Sequence, residues 1–393
     1  MSHALNARPN EALARLSEAG SPEAASGTLS IDLAAIVANW RSLRDRIAPA
    51  ECAAVVKADA YGTGLERVGA ALAAAGCRSF FVAVPSEALR LRGVAPQAAI
   101  YALNGLARGQ GRLYLASDLR PVLGSLDEID EWGALCREAG VAGHAAIHVD
   151  TGMNRLGLST ADLAEVMSRG ATKLGFVPAL LLGHFVTSDN AGHPLNARQI
   201  QAFREARALA PEIPGSLANS SGIFLGAAAR HDLARPGSAL FGGNPTPDRG
   251  NPMRSVVTLT VPIVQLRFIQ SGETVGYDAQ WTARRRIRVA TLAAGYGDGY
   301  PRAATATDAK LEAGTPVGEA IIAGRRCPFV GRVSMDLITV DVTDVPEAEI
   351  GRGDQATLIG EELPVDEVGR RAETIGFEVL TRLGRRYERR YLE

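Results

Sequence analysis

The sequence predicts an α/β protein, with an N-terminal (β/α)8 barrel followed by a mostly antiparallel β domain. Between residues 28 and 250, short apolar runs alternate with segments of helical periodicity. This alternation is typical of βαβ units in a parallel sheet. Beyond residue 250, β-branched runs separated by turn residues replace that pattern, which indicates antiparallel strands. Glycines and prolines between residues 242 and 252 mark the link.

The barrel prediction depends on the number of strand–helix units. A strand at 28–31 precedes a helix that Asp32 caps, and a strand ending at Lys57 follows. Further strands are predicted at 79–84, 97–103, 119–123, 145–149, 179–184 and 216–219, and helices at 65–75, 132–139, 161–169 and 197–209. About six to eight units fit a (β/α)8 barrel better than an open sheet. The missing Gly-x-Gly-x-x-Gly turn also disfavours a dinucleotide-binding arrangement.

The C-terminal part is predicted to contain five strands and one helix. The strands are placed at 256–264, 286–292, 321–322, 337–342 and 356–359, and the helix at 365–373. The predicted division of the chain is therefore an N-terminal tail at 1–27, a barrel at 28–250 and a β domain at 251–393.

Composition excludes several classes of function. The net charge of -1 gives no sign of nucleic-acid or membrane binding. No apolar run approaches the roughly 20 residues that span a bilayer, and residues 1–27 do not resemble a signal peptide. The four cysteines lie far apart without a Cys-x-x-Cys pair, which disfavours a disulfide framework or a zinc site and fits the reducing cytoplasm. The expected partner is a small-molecule substrate.

The stretch from residue 53 to residue 62 is the strongest chemical signal. Small apolar residues run directly into Lys57, and turn residues follow. In one interpretation Lys57 reaches solvent or pairs with a carboxylate. In the other, it forms a Schiff base with an aldehyde, which suits a partly desolvated lysine, and Tyr61 helps to bind the phosphate of that aldehyde. Composition leaves both interpretations open.

Val-Val-Lys-Ala-Asp-Ala-Tyr-Gly at 55–62 resembles the pyridoxal-phosphate motif of the alanine racemase family. Further stretches resemble family motifs in the same order along the chain, so the resemblance covers roughly residues 28 to 382. They lie at 148–155, 183–185, 219–222, 235–238, 276–282, 295–300 and 331–336. The resemblance implies a pyridoxal 5'-phosphate-dependent isomerase that interconverts L- and D-alanine and supplies D-alanine for peptidoglycan. It also implies a homodimer with composite active sites, and it implies that the strand near 28–31 joins the C-terminal β domain.

Several barrel residues receive roles from this resemblance, and each follows a predicted strand, where barrels place their chemistry. Lys57 would hold the cofactor and act as one acid–base group. Arg155 would lie near the cofactor ring and the substrate, and His184 would orient the second acid–base group. The remaining implied cofactor ligands, suited to a phosphate, are Tyr61, Ser220, Gly237 and Ser238.

Arg235 is the most informative of the implied cofactor contacts. Many pyridoxal enzymes place a carboxylate against the pyridine nitrogen and thereby deepen the electron sink. The alanine racemase family places an arginine there. Because a guanidinium has only hydrogen-bond donors, the pyridine nitrogen must act as the hydrogen-bond acceptor. The resemblance therefore implies weaker carbanion stabilisation, which favours racemisation over transamination.

The β domain is implied to supply the rest of the site. Tyr277 would be the second acid–base group, acting on the opposite face of the substrate from Lys57 and reaching in from the other subunit. Tyr296 would line the entrance. The main chain at Met335 would hold the substrate carboxylate together with Arg155.

Three positions depart from the family pattern. His148 replaces a lysine, often carbamylated, that fixes the arginine at 155. Ser216 replaces a histidine that supports the arginine at 235. The C-terminal segment lacks a tyrosine that some members use for the phosphate, and Arg385 and Tyr387 are the two candidate substitutes.

Other functions remain open at this point. A racemase with a wider substrate range differs only in pocket shape. A related barrel decarboxylase is disfavoured because its glycine triplet and Cys-Glu-Ser type motif are missing. A single-barrel pyridoxal-phosphate carrier is disfavoured because it would have neither the β domain nor Tyr277.

Overall fold

The structure is a computed structural model that describes residues 26–393. Residues 1–25, which make up most of the predicted tail, lie outside this range. The first strand, β1, covers Gly27–Asp32, and helix α1 covers Leu33–Ile47. The Asp32 carboxylate accepts a hydrogen bond from the Ala35 N–H at 2.7 Å, which confirms the predicted helix cap.

The parallel strands form a barrel whose strand order follows the chain. Their bounds are β2 Glu51–Cys52, β3 Ala54–Val55, β4 Ser79–Val82, β5 Ala99–Ala102, β6 Leu119–Leu123, β7 His144–His148, β8 Val177–Leu182, β9 Gly215–Ser216 and β10 Leu233–Ala234. Strands β2 and β3 are two pieces of one barrel strand. Strand β10 closes the ring because it pairs in parallel with β2, while Arg235 N–H donates to the Ala218 carbonyl on its other side. The predicted (β/α)8 barrel is confirmed.

Helices surround this barrel. They are α2 Leu65–Ala74, α3 Pro85–Val94, α4 Gly111–Ala116, α5 Leu126–Ala139, α6 Thr160–Ser168, α7 Gly170–Leu174 and α8 Pro194–Leu209. Large side chains such as Phe81, Tyr101 and Leu180 fill the interior, as in other barrels of this size. Helix α3 was not predicted, because it buries only Ala88 and Leu91 and therefore shows little apolar periodicity.

The second sheet is mostly antiparallel, as predicted. Its other strands are β11 Val257–Ile269, β12 Ile287–Leu292, β13 Glu319–Ile322, β14 Arg325–Pro328, β15 Ile338–Asp341, β16 Gln355–Ile359 and β17 Tyr387–Leu392. Strand β1 pairs antiparallel with β11 and parallel with β17. The first strand of the chain therefore belongs to the C-terminal sheet, as the family resemblance implies.

Three helices complete the β domain: α9 Asp308–Glu312, α10 Val365–Arg371 and α11 Gly376–Arg382. The single helix predicted at 365–373 is followed by α11, which the sequence analysis missed. Helix α11 lies against the barrel, since a Cβ on Gly62 would be 2.4 Å from the Leu380 carbonyl oxygen. Among the described residues, no helix has both the length and the apolar character needed to cross a membrane.

Candidate active site

Lys57 lies at the barrel mouth, directly after the first barrel strand. The strand ends at Val55, slightly earlier than predicted, and residues 57–61 form one helical turn. This turn is left-handed: φ is 54° at Ala58, 56° at Asp59, 53° at Ala60 and 55° at Tyr61. None of these residues is glycine, and each costs about 1–2 kcal/mol in this conformation. The turn must therefore be stabilised by its surroundings.

The environment of Lys57 favours a neutral amine. Desolvation and the positive charge of Arg155 lower its pKa, while the carboxylate of Glu87 partly opposes this effect. The other lysines of the chain are Lys173 and Lys310. Lys173 is exposed on α7, and Lys310 pairs with Glu373 at 2.7 Å. Lys57 is therefore the lysine whose surroundings suit a nucleophile or a base.

Tyr61, on the turn that begins at Lys57, meets Ser220, Gly237 and Ser238 in a group of residues that we call the cradle. The Ser220 hydroxyl oxygen accepts hydrogen bonds from Gly237 N–H at 3.0 Å and Ala239 N–H at 3.2 Å. It also lies 3.4 Å from the Ser238 hydroxyl. A Cβ on Gly237 would be 2.3 Å from the Tyr61 hydroxyl. Hydroxyls and main-chain N–H groups thus meet around a glycine, an arrangement that suits a phosphate.

Tyr61 is held by two aromatic rings that the sequence analysis did not identify. Its ring stacks on Phe241 with centroids 4.7 Å apart, and the Phe377 ring meets it edge-on at 6.2 Å. Burial raises the pKa of Tyr61 to about 12, so its hydroxyl remains a hydrogen-bond donor. Phe377 belongs to α11 and provides no hydroxyl, so the β domain contributes packing at this position.

Arg235 is buried beneath the cradle, and its support is now defined. Its guanidinium donates to the Ser216 carbonyl at 2.8 Å, to the Ser216 hydroxyl, and to the Gly183 carbonyl at 2.6 Å. Burial lowers the pKa of Arg235 to about 9, which leaves it cationic at neutral pH. Ser216 therefore fixes this arginine although it replaces the histidine of the family pattern.

Two histidines near these cations are kept neutral. Burial, Arg235, Arg155 and Lys57 together lower the pKa of His184 to about 3. Burial and Arg235 likewise lower the pKa of His148 to about 4. Because Lys57, Arg155 and Arg235 all act on His184, the structure brings these predicted residues to one place. The result is a mouth with a local excess of positive charge, suited to an anionic ligand.

The loop that carries Arg155 is stabilised by its main chain. The Asp150 carboxylate accepts hydrogen bonds from the N–H groups of Gly152, Met153 and Asn154, each at 2.9 Å. Within residues 26–393 the Arg155 guanidinium makes no hydrogen bond and no ion pair. His148 therefore does not hold Arg155 by a hydrogen bond.

Gln199, which the sequence analysis missed, connects this loop to the next strand. It is fully buried in α8 and donates to the Thr151 hydroxyl at 3.1 Å and to the His184 carbonyl at 2.9 Å. Its side-chain oxygen accepts from Val186 N–H at 2.9 Å. The available sequence signal was the position of Gln199, a polar residue four positions before Phe203, which is buried in the same helix.

The predicted β-domain residues lie together on a different surface. Tyr277, Tyr296 and Met335 are 70%, 41% and 51% exposed. Their loops are joined by main-chain hydrogen bonds, with Tyr296 N–H donating to Ser334 at 3.0 Å and Gly297 N–H to Met335 at 2.8 Å. Arg332 adds an ion pair with Asp278, next to Tyr277. We call this surface the loop face.

The two C-terminal candidates do not contact the cradle. The Tyr387 hydroxyl is buried without a hydrogen-bond partner in the described chain, and burial, with smaller contributions from Asp298 and Tyr300, raises its pKa. Arg385 is exposed. Neither makes a hydrogen bond to Ser220 or Ser238 within residues 26–393.

The fold and the mouth together define a two-domain barrel protein built around a strand-end lysine and an anion cradle. Residues 31–245 match the family model described as alanine racemase, N-terminal domain, and residues 256–391 match alanine racemase, C-terminal domain. The chain belongs to the alanine racemase family.

Individual relatives agree with this assignment. The alanine racemase of Methylobacterium sp. (strain 4-46) is 53% identical over 365 residues, which are 93% of this chain and 97% of that protein. The crystal structure of alanine racemase from Bartonella henselae with covalently bound pyridoxal phosphate has a TM-score of 0.87 and 39% identity, covering 94% of this chain and 100% of that one. The biosynthetic alanine racemase of Pseudomonas aeruginosa has a TM-score of 0.84 and 33% identity, with the same coverage.

Proposed function

We propose that this protein is an alanine racemase that binds pyridoxal 5'-phosphate at Lys57. The observation that supports the proposal most strongly is the position of a lysine with a lowered pKa beside the cradle, in the mouth of one barrel. The membership of the chain in the alanine racemase family agrees with it.

The residues present fit this cofactor. Gly237 lacks a Cβ where one would collide with Tyr61, and the cradle around it offers hydroxyls and N–H groups for a phosphate. The guanidinium groups of Arg155 and Arg235 complement an anion. Arg235 would hold the ring nitrogen, and its donor-only guanidinium leaves that nitrogen as an acceptor.

The chemistry divides between two groups of this sequence. The bound cofactor supplies an electron sink that acidifies the substrate Cα–H. Lys57 Nζ would take or return the proton on one face of the substrate, and its lowered pKa makes the neutral amine accessible. The Tyr277 hydroxyl would serve the opposite face. Arg155 and the main chain at Met335 would bind the carboxylate, and Tyr296 would line the entrance.

A single chain leaves this arrangement incomplete, and we propose a homodimer with composite sites. The Tyr277 side chain is 70% exposed and its hydroxyl makes no hydrogen bond within residues 26–393. Exposed apolar side chains of this kind mark protein interfaces, and others in the C-terminal part include Tyr296, Met335, Leu337, Ile375 and Phe377. A two-fold dimer would place the loop face of each subunit over the barrel mouth of the other.

Mixing two inactive variants tests the composite site. Chains carrying Lys57→Ala and chains carrying Tyr277→Phe should each be nearly inactive, and dissociating and reassociating them together should restore activity. In the mixed dimer one site retains both original residues. Differently tagged chains show whether mixed dimers form. If mixed dimers form but stay inactive, Lys57 and Tyr277 act in the site of the same chain and the composite-site proposal is wrong.

The activity itself is tested with purified protein and a panel of D- and L-amino acids. The expected results are interconversion of the alanine enantiomers and visible absorbance that borohydride abolishes, with the reduced cofactor attached to the peptide containing Lys57. Lys173→Arg and Lys310→Arg are matched controls that should retain both properties. Rapid racemisation of larger amino acids would indicate the broader-specificity alternative, and release of carbon dioxide would indicate a decarboxylase.

We further propose a cytoplasmic role in supplying D-alanine for peptidoglycan. All four cysteines are buried as free thiols, which supports a reducing compartment. We also propose that the chain divides near residue 250, since the last barrel strand ends at Ala234 and the long strand β11 begins at Val257. Expression of residues 26–250 alone and of the full chain, compared by limited proteolysis, would test that boundary.

A further inference from the structure

The left-handed turn after Lys57 needs support that its own sequence does not provide. Four consecutive non-glycine residues adopt positive φ, a conformation that persists only where the surroundings determine it. Helix α3, which follows the neighbouring strand β4, supplies part of this support. In its first turn lies Glu87, a half-buried residue.

The Glu87 carboxylate contacts two backbone segments. One oxygen accepts a hydrogen bond from Asp59 N–H, inside the left-handed turn, at 3.2 Å. The other accepts from Ala83 N–H, directly after strand β4, at 2.9 Å. A first-turn glutamate commonly reaches back to the N–H groups that precede its own helix, and the Ala83 contact is of this kind. The hydrogen bond from Asp59 N–H is not explained by helix capping, since Asp59 follows strand β3 and not strand β4, which precedes α3.

The charge of Glu87 also acts on the reactive lysine. The groups whose charges reach the Lys57 amine are Arg155 on the loop after β7 and Glu87 on α3, and Lys57 in turn acts on His184 after β8. Arg155 repels the protonated amine, and His184 is neutral. Glu87 therefore supplies the negative charge that opposes Arg155.

We propose that Glu87 is a positioning residue for Lys57, which clamps the left-handed turn to the end of the next barrel strand and presents a carboxylate to the lysine. The proposal deepens the proposed function, because it concerns the same lysine. Asp59 assists from the other side of the turn, since its carboxylate accepts from Leu65 N–H at 3.2 Å and pairs with Arg90 at 2.6 Å.

Two substitutions at Glu87 distinguish its hydrogen bonds to the backbone from the effect of its charge on Lys57. Glu87→Gln removes the charge and exchanges one acceptor for a donor, whereas Glu87→Asp keeps the charge but shortens the side chain. The matched control is Glu66→Gln, since Glu66 pairs with the same Arg90 at 2.6 Å but makes no hydrogen bond to the turn. All three variants are made in the full chain.

Hydrogen–deuterium exchange tests whether Glu87 stabilises the left-handed turn, and this measurement does not depend on catalysis. Amides 58–62 should lose protection by about tenfold or more in both Glu87 variants, as expected when a hydrogen bond to a charged group is lost. The Glu66→Gln variant should match the wild type at these amides. Equal protection in all four proteins would overturn the clamp.

The pH dependence of cofactor capture at Lys57 tests the electrostatic effect of Glu87. Cofactor-free full chain is mixed with pyridoxal phosphate across a pH series, and borohydride traps what has reacted at Lys57. The capture midpoint should fall by about 0.5–1 pH unit in Glu87→Gln, because the protonated amine loses its counter-charge, and should stay unchanged in Glu87→Asp and Glu66→Gln. An unchanged midpoint in Glu87→Gln would overturn the electrostatic part. A wild type that captures no cofactor at all would refute the proposed function, while the exchange data would still decide the clamp.

Discussion

The barrel mouth and the loop face carry the two halves of one predicted site, yet they are built in opposite ways. In the mouth, the side chains of Arg235 and Ser220 are buried and hydrogen-bonded to neighbouring parts of the barrel. On the loop face, the side chains of Tyr277 and Met335 are exposed, and the Met335 carbonyl accepts a hydrogen bond from Gly297 N–H. The proposed cofactor-binding half is therefore fixed by buried contacts, whereas the proposed second acid–base group, Tyr277, is exposed.

This difference separates two kinds of sensitivity to mutation. Changes in the mouth disturb buried, mutually dependent contacts, so they should affect cofactor affinity and folding stability. Changes on the loop face remove an exposed side chain, so they should affect turnover alone. A loop-face variant that loses cofactor, or a mouth variant that changes only turnover, would break the distinction.

The largest effect is expected for Tyr277→Phe. Removing a positioned acid–base hydroxyl costs about 10²–10⁴-fold in rate, whereas an exposed substitution changes stability by no more than about 0.5 kcal/mol. We expect racemisation to fall by about 10³-fold with unchanged cofactor affinity and unchanged thermal midpoint. Proton exchange at Cα measured separately for each enantiomer should be lost mainly on the Tyr277 side. Equal loss for both enantiomers would contradict a one-face role.

Gly237→Ala should have the next largest effect. The main consequence of this substitution is steric. The new Cβ would lie 2.3 Å from the Tyr61 hydroxyl and would displace it. Misplacement of a positioned group by about 1 Å costs on the order of 10²-fold. We therefore expect about 100-fold weaker binding of pyridoxal phosphate, measured by spectroscopic titration.

The control for this substitution is Gly250→Ala, where an added Cβ meets no atom within 4 Å. It should bind pyridoxal phosphate as the wild type does. If Gly237→Ala also retains full affinity, the cradle does not hold the phosphate.

Ser216→Ala should destabilise the protein moderately. The substitution removes the hydroxyl that accepts from Arg235 and donates to the Leu233 carbonyl at 2.7 Å. The loss of a hydrogen bond to a buried charge costs about 1.5–3 kcal/mol. The free energy of unfolding in urea should fall by that amount, against less than about 0.5 kcal/mol for the exposed Ser168→Ala control. An equally small change in both would show that the two carbonyls suffice to hold Arg235.

The sequence predicted most of the fold because the relevant signals are local. Strand ends, helix periodicity and the Asp32 cap depend on neighbouring residues, and the motif order placed Lys57, Arg155, His184 and Arg235 after four different barrel strands. The structure brings these four together, while their individual roles stay predictions. Helix α3 was missed because its buried face consists of only two residues.

Other features that were not predicted depend on contacts between distant parts of the chain. The left-handed turn at 58–61 contains no glycine that would announce it. The contact of Ser216 with Arg235 depends on the closure of the barrel by β10, and the packing of Phe377 on Tyr61 depends on how the β domain lies against the barrel. No pattern within a short window specifies these contacts.

The smallest expected effect concerns pH and again distinguishes the two regions. Burial and Arg235 lower the pKa of His148 to about 4 in the folded chain, against an ordinary value of 6.5. Between these values the unfolded chain binds a proton that the folded chain does not. The associated stability is therefore present above pH 6.5 and is lost as the pH falls towards 4. His184 acts in the same direction, with a pKa lowered to about 3.

His148→Asn removes one of these two groups. The slope of the free energy of unfolding against pH should fall by up to about 1.4 kcal/mol per pH unit within this window, and the remaining slope should include the contribution of His184. Urea unfolding of the wild type and the variant at a series of pH values between about 4 and 7 measures this difference. Tyr277→Phe on the loop face should leave the slope unchanged, because it alters neither His148 nor His184. An unchanged slope in His148→Asn would mean that His148 binds protons equally in the folded and unfolded chains, which would contradict its lowered pKa.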